Sequence, residues 1–168
     1  MTYKISEPFV VPQAIADIST TQMLPLGTRV RAKSDTYGEG EFIYLLGVGS
    51  TVTGMLVKYN ATTYQTALLT VANGKNKGVP VAVAMGANVA SSYGWYQIGG
   101  NAVVKKTSVA VTPQVPIFIS ATDGRAKVLA SAGQQILGAQ TANLTTIVTT
   151  TSTVVVTISR PFTQGQIT

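Results

Sequence analysis

The stretch from Thr153 to Ile158 limits the fold more than any other part of the chain. It reads Thr-Val-Val-Val-Thr-Ile, every residue β-branched, and continues through Ser159 and Arg160 to Pro161. Two heavy substituents on Cβ crowd a helix but pack well on a pleated sheet. The run predicts a strand over 152–160, ended by the proline.

Shorter segments of the same kind recur upstream. Arg29-Val30-Arg31-Ala32-Lys33 alternates charged and apolar residues at the period of two of a half-exposed strand. Strand-like segments follow at 41–46, 55–59, 66–71 and 79–85, the last with Pro80 near its start, which marks a strand beginning or an edge. Tyr37-Gly38-Glu39-Gly40-Glu41 reads as a turn, and Asn73-Gly74-Lys75-Asn76-Lys77-Gly78 as a basic tip. Gly99-Gly100-Asn101 between 93–98 and 102–105 predicts a tight hairpin. Asp123-Gly124, between 116–121 and 126–129, is the strongest short hairpin signal in the chain. Residues 130–143 are rich in Gln, Ala and Gly without a 3.6-residue period, which leaves room for at most one short helix.

Strands spaced roughly 8 to 12 residues apart, with turns between, predict an all-β fold, a small β-barrel or sandwich. An internal echo relates Ala84-Met85-Gly86-Ala87-Asn88-Val89 to Ala139-Gln140-Thr141-Ala142-Asn143-Leu144, each ahead of a strand. Pseudo-symmetric halves of a barrel would produce such an echo.

With 168 residues the chain suits one domain with an appendage. We expect an extended N-terminal arm at 1–24 and a single domain at 25–168. Pro8 and Pro12 oppose a regular helix or central strand within the arm. Phe9, Val10, Ile15, Ile18, Met23 and Leu24 are too apolar for a solvated tail, so something should cover them. Two covers are open, the chain's own body or a neighbouring protein.

The chain has no cysteine and no histidine. Disulfides, thiolate catalysis and Ser-His-Asp hydrolysis are excluded, and the commonest metal ligand is missing. Of six acidic residues, five fall within the first 41 positions, and Asp35, Glu39 and Glu41 form the only local cluster. A glycosidase needs two carboxylates across a cleft; here solvated or ion-paired carboxylates at a turn are the simpler reading. No G-x-x-x-x-G-K-[ST] phosphate loop is present. These absences predict a protein that is not an enzyme and takes no cofactor. No apolar stretch reaches the roughly 18 residues that would span a bilayer, and no signal-peptide pattern opens the chain.

Charge is unevenly placed. Residues 1–50 carry a net −1, whereas 51–168 carry +7, with Asp123 their only acid. Lys75, Lys77, Lys105, Lys106, Arg125 and Lys127 form a basic surface suited to an acidic protein partner, and nucleic acid is the less favoured ligand. Tyr93-Gly94-Trp95-Tyr96 is the densest aromatic run. Tyr93 and Trp95 share one strand face and Tyr96 the other, which suits a core or an oligomer interface; an aromatic platform for a ligand such as a glycan is the alternative.

Several segments resemble small virion proteins of tailed bacteriophages. They are Gln22-Met23-Leu24-Pro25-Leu26-Gly27-Thr28, the string Tyr37-Gly38-Glu39-Gly40-Glu41-Phe42-Ile43-Tyr44-Leu45, Val81-Ala82-Val83-Ala84-Met85 and Tyr93-Gly94-Trp95-Tyr96-Gln97-Ile98. Ile117-Phe118-Ile119-Ser120-Ala121-Thr122-Asp123-Gly124 and Ile136-Leu137-Gly138-Ala139 are similar to the β-barrel of phage capsid decoration and head-fibre proteins. The resemblance spans about 22–160, and its most specific piece is 37–45.

It implies a cement subunit on the capsid exterior, made in the host cytoplasm and bound to the major capsid protein where hexamers meet. A homo-oligomer, with a trimer favoured, is implied as well, and no catalytic residues come with the family. Head-fibre, receptor- or glycan-binding and head-tail completion roles stand as alternatives. The long N-terminal segment and the basic body depart from the family pattern.

Overall fold

The computed structural model describes residues 4–5 and 12–166. The expected all-β fold is what the chain adopts, as a strongly curled antiparallel sheet. Its strands are β1 (Lys4–Ile5), β2 (Ile18–Ser19), β3 (Arg29–Ser34), β4 (Gly38–Leu46), β5 (Leu56–Tyr59), β6 (Thr66–Leu68), β7 (Val81–Ala84), β8 (Tyr93–Lys105), β9 (Pro116–Ile119), β10 (Ala126–Lys127), β11 (Gln135–Thr141) and β12 (Thr153–Thr163). One helical turn, α1 (Val71–Gly74), is capped by the Thr70 hydroxyl and the Asn73 side chain in a reciprocal box.

The main path runs β1-β3-β4-β8-β12-β11-β9-β10, with β2 and β7 branching from β8, β5 from β7 and β6 from β5. A parallel bridge from Lys106 to Ala126 brings β10 back against the end of β8. Alternation then builds three cores. Phe42, Tyr44 and Trp95 face one with Ile15 and Val30, while Ile43, Leu45, Tyr96 and Ile98 face another. The antiparallel β5–β7 pair is a shared wall: Val57, Ala82 and Ala84 pack on that second core, and Leu56, Val81 and Val83 on a third, aliphatic core. Val104, Val154, Val156, Ile117, Ile119 and Ile136 complete the third core.

Several expectations need correction. Gly99-Gly100-Asn101 is no hairpin; β8 runs unbroken through it. β4 pairs with β8 up to Gly99, and β12 pairs from Gly99 to Lys105, so the glycines mark the exchange of partners. Gly100 has φ +86°, and a Cβ there would run into the Glu39 carbonyl. Glycine with positive φ serves a bulge as readily as a turn, which is why the two read alike in sequence. The strand bends sharply here. Gly54 donates to the Ala84 carbonyl and accepts from the Lys105 N–H, both at 2.8 Å, while Ala84 sits opposite Tyr96. Three strand spacings thus link Tyr96 to Lys105 within about 15 Å, where straight strand would span about 30 Å.

Pro161 does not end the last strand either. It is buried within β12, beside a bulge opposite Gly138, and Phe162 and Thr163 resume pairing with Leu137 and Ile136; a bulge is where a strand tolerates proline. Residues 130–143, expected to hold at most one short helix, instead contain β11 at 135–141, because β9 and β12 offer ladders on both sides. The turn placed at 37–41 falls earlier, at 35–37, and Gly38 to Gly40 belong to β4. The strand expected at 66–71 stops at Leu68 and gives way to α1. The Asp123-Gly124 hairpin forms as read, with Ala126 opposite Ile119.

Candidate functional site

Residues 12–24 lie on the chain's own body. Gln13 is the latch, buried to 5% exposure. Its Nε2 donates to the carbonyls of Asp17 (2.8 Å) and Tyr93 (3.1 Å), and its Oε1 accepts from the Tyr44 hydroxyl (2.8 Å). Trp95 Nε1 donates to the Gln13 carbonyl at 3.0 Å. Ile15 is buried in the core beneath, and Leu24 packs half-buried against it. These two, expected in a capsid-binding arm, are therefore occupied by the protein's own core. Ile18 and Met23 remain exposed and line a shallow groove of about 500 Å³ with Pro12, Ala16 and Asp17. Phe9 and Val10 lie outside the described residues.

The aromatic run does not form an exposed platform. Trp95 and Tyr96 are fully buried on opposite faces of β8, and half-buried Tyr93 stacks on Tyr44 at 6.4 Å between ring centroids. Trp95 meets the same Tyr44 edge-on at 5.1 Å. The Tyr96 hydroxyl accepts from Asn88 Nδ2 at 2.6 Å, and burial pushes the phenol up to about 12 despite bonds to Thr66 and Asn88 that oppose the shift. Alternation correctly separates Tyr96 from its neighbours, but these rings serve this chain's own packing.

The acidic cluster faces basic partners. Arg160 binds Glu41 in a two-pronged pair at 2.9 and 3.2 Å, and Arg31 approaches Glu39 at 3.6 Å. These side chains rim a shallow polar depression of about 330 Å³ floored by Gly40, Gly99 and Gly100. The Glu41 carboxylate raises the Arg160 pKa through its hydrogen bonds and its charge. Both pairs are open to water, and no group of three acidic side chains among the described residues could hold a metal ion. Ion pairing rather than acid-base chemistry is what this geometry supports.

A different feature stands out at the end of the β8–β12 ladder. Lys106 is only 1% exposed. Its ammonium donates to the carbonyls of Val109 (2.8 Å), Val148 (3.2 Å) and Thr107 (3.3 Å), which uses all three N–H groups and ties two loops together. Burial lowers its pKa. Asn143 Nδ2 bonds the Val111 and Thr145 carbonyls, and Val111 and Ile147 exchange both backbone bonds. The loop at 143–148 is thus held by four hydrogen bonds to Val111 and Lys106, yet it presents Leu144 at 97% and Val148 at 59% exposure.

Sequence reasoning placed Lys106 on a basic surface and missed this role. The signal was available: Ala102, Val104 and Lys106 share the inward face at a period of two. Gln13 carried no comparable signal. Compared with protein-family models and with curated protein sequences, the chain matches none.

Proposed function

We propose that this protein is a bacteriophage virion subunit that decorates the outer capsid surface, with the major capsid protein as its partner, and that it acts as a homo-oligomer, a trimer being favoured. The observation that carries this reading is the anchored loop that presents Leu144 and Val148. An apolar side chain held in water by a loop already fixed in place loses little further conformational freedom when a partner covers it. That is the property of a contact residue in a protein interface. The +7 charge of residues 51–168, with the Arg125 guanidinium bonded to the Lys106 carbonyl near the base of the loop, adds attraction to an acidic protein surface. Many copies on a symmetric shell would multiply modest contacts through avidity. A glycan-binding fibre is less supported, because Trp95 and Tyr96 are enclosed.

Sedimentation of the purified protein with particles assembled without it tests the reading. Saturable co-sedimentation is expected, together with greater resistance of the shell to heat. Leu144→Asp should weaken it at least about tenfold while the protein stays folded. Protein that stays in the supernatant at every concentration would refute the proposal.

A further inference from the structure

The outer face of β9, β11 and β12 carries its own pattern. Lys127, Phe118 and Gln135 stand opposite one another on three adjacent strands, and Leu137 stands opposite Phe162 on the next pair. Their neighbours Ile117, Ile119, Ile136 and Thr163 turn inward and are buried. Alternation therefore sets Phe118, Leu137 and Phe162 on the face away from the core, with Phe162 44% exposed and the other two half-buried. A shallow depression of about 460 Å³ lies here, between Phe118, the 130–133 loop and Gln164.

Lysines gather at its walls. Lys127 Nζ donates to Ser131 Oγ at 2.8 Å. The Asn76 N–H donates to the Gly133 carbonyl at 2.9 Å, which places exposed Lys75 and Lys77 beside the same wall, and Lys77 bridges to Gly165. The two ion pairs among the described residues, Arg31–Glu39 and Arg160–Glu41, involve none of these lysines. The only acid in 51–168 is Asp123. The result is an apolar strip with a cationic rim that makes no ion pair among the described residues.

From this arrangement we propose that the face docks an acidic extended segment of a partner protein, with Asp or Glu side chains flanking an aromatic or aliphatic anchor. Carboxylates complement Lys75, Lys77 and Lys127, while the anchor seats on Phe118 and Phe162. A desolvated apolar centre with a charged rim is the anatomy of a protein contact. A nucleic-acid backbone asks instead for rows of cations along its phosphates. The choice of partner rests on the decoration reading, in which the segment belongs to the shell protein; the site itself rests on the lysines and the apolar strip.

The test uses the full-length protein and three labelled probes followed by fluorescence anisotropy: a peptide of alternating Glu and Asp around a central Phe-Leu pair, its Lys-substituted counterpart, and a short DNA duplex. Binding of the acidic peptide alone is expected, weaker at higher salt. The Lys75→Glu/Lys77→Glu/Lys127→Glu variant should lose at least about tenfold in affinity with an unchanged Tm, and Phe162→Ser a similar factor. Leu144→Ser should bind the peptide as the parent does. No peptide binding, equal binding by the triple variant, or a preference for the duplex would overturn the inference. Co-sedimentation separates the two ideas: a parent that binds particles but not the peptide defeats the acidic segment alone, and one that binds the peptide but not particles defeats decoration alone.

Discussion

The two ends of the curled sheet solve the same problem in opposite ways. At the β3–β4 end, the core is aromatic and polar-tipped: Tyr44 and Trp95 each need a hydrogen-bond partner, and residues 12–24 fold over them to supply one through Gln13. At the β9–β12 end, the third core is aliphatic and asks for no partners. Among the described residues no segment is drawn over its outer side, where Phe118, Leu137 and Phe162 remain. Buried hydroxyl and indole groups recruit the chain's own backbone, whereas a purely aliphatic core leaves the outer face free for another molecule. The acids follow the same division, since all but Asp123 lie in the first 41 residues.

Substitutions sharpen that contrast, beginning with the largest effect. Trp95→Ala should cost about 3–5 kcal/mol, because it opens a cavity under the N-terminal segment and strands the Gln13 carbonyl; urea unfolding measures it. Tyr96 tests the same end through pH. Its folded-state pKa is raised above the ordinary 10.0 to about 12, so the folded chain holds the proton that the unfolded chain releases. That stability is complete below about pH 10 and lost as pH rises towards 12, up to about 2–3 kcal/mol. Tyr96→Phe should flatten this alkaline decline, and an unchanged pH profile would remove Tyr96 as its source.

Gln13→Ala should cost about 2 kcal/mol by leaving the Tyr44 hydroxyl and the Tyr93 carbonyl without their partner, and protease should then cut residues 12–24 faster. The smallest effect belongs to the other end. Leu144→Ser, at a site 97% exposed, should change stability by less than about 0.5 kcal/mol. If it destabilised the chain as much as Gln13→Ala, the contrast between a closed end and an open one would fail.

Much of the fold was legible because local chemistry and tertiary context agree. Arg29 to Ser34 alternates exposed and buried residue by residue, and Asp123-Gly124 turns where its backbone preference demands. Where one local signal serves two geometries, the sequence misled. Gly99-Gly100 fits a hairpin and a bulge equally, and only the partners on either side of β8 select the bulge. Residues 135–141 have no periodicity of their own and become a strand because β9 and β12 present unpaired edges. Of the expected arm residues, Ile15 and Leu24 are apolar enough for any interface, and nothing local reveals that their partner lies in the same chain.

Composition and period alone determined that the chain builds sheets, that its body is basic, and that no imidazole or thiol chemistry is available to it. Those properties reside in single residues and their spacing. Tertiary structure decided which apolar groups are consumed and which are left outside, how β8 bends to serve three cores, and that Lys106 ties loops rather than greeting solvent. Burial and hydrogen bonding join residues far apart in the chain, as Gln13 and Trp95 are joined, so short-range patterns hold no record of them.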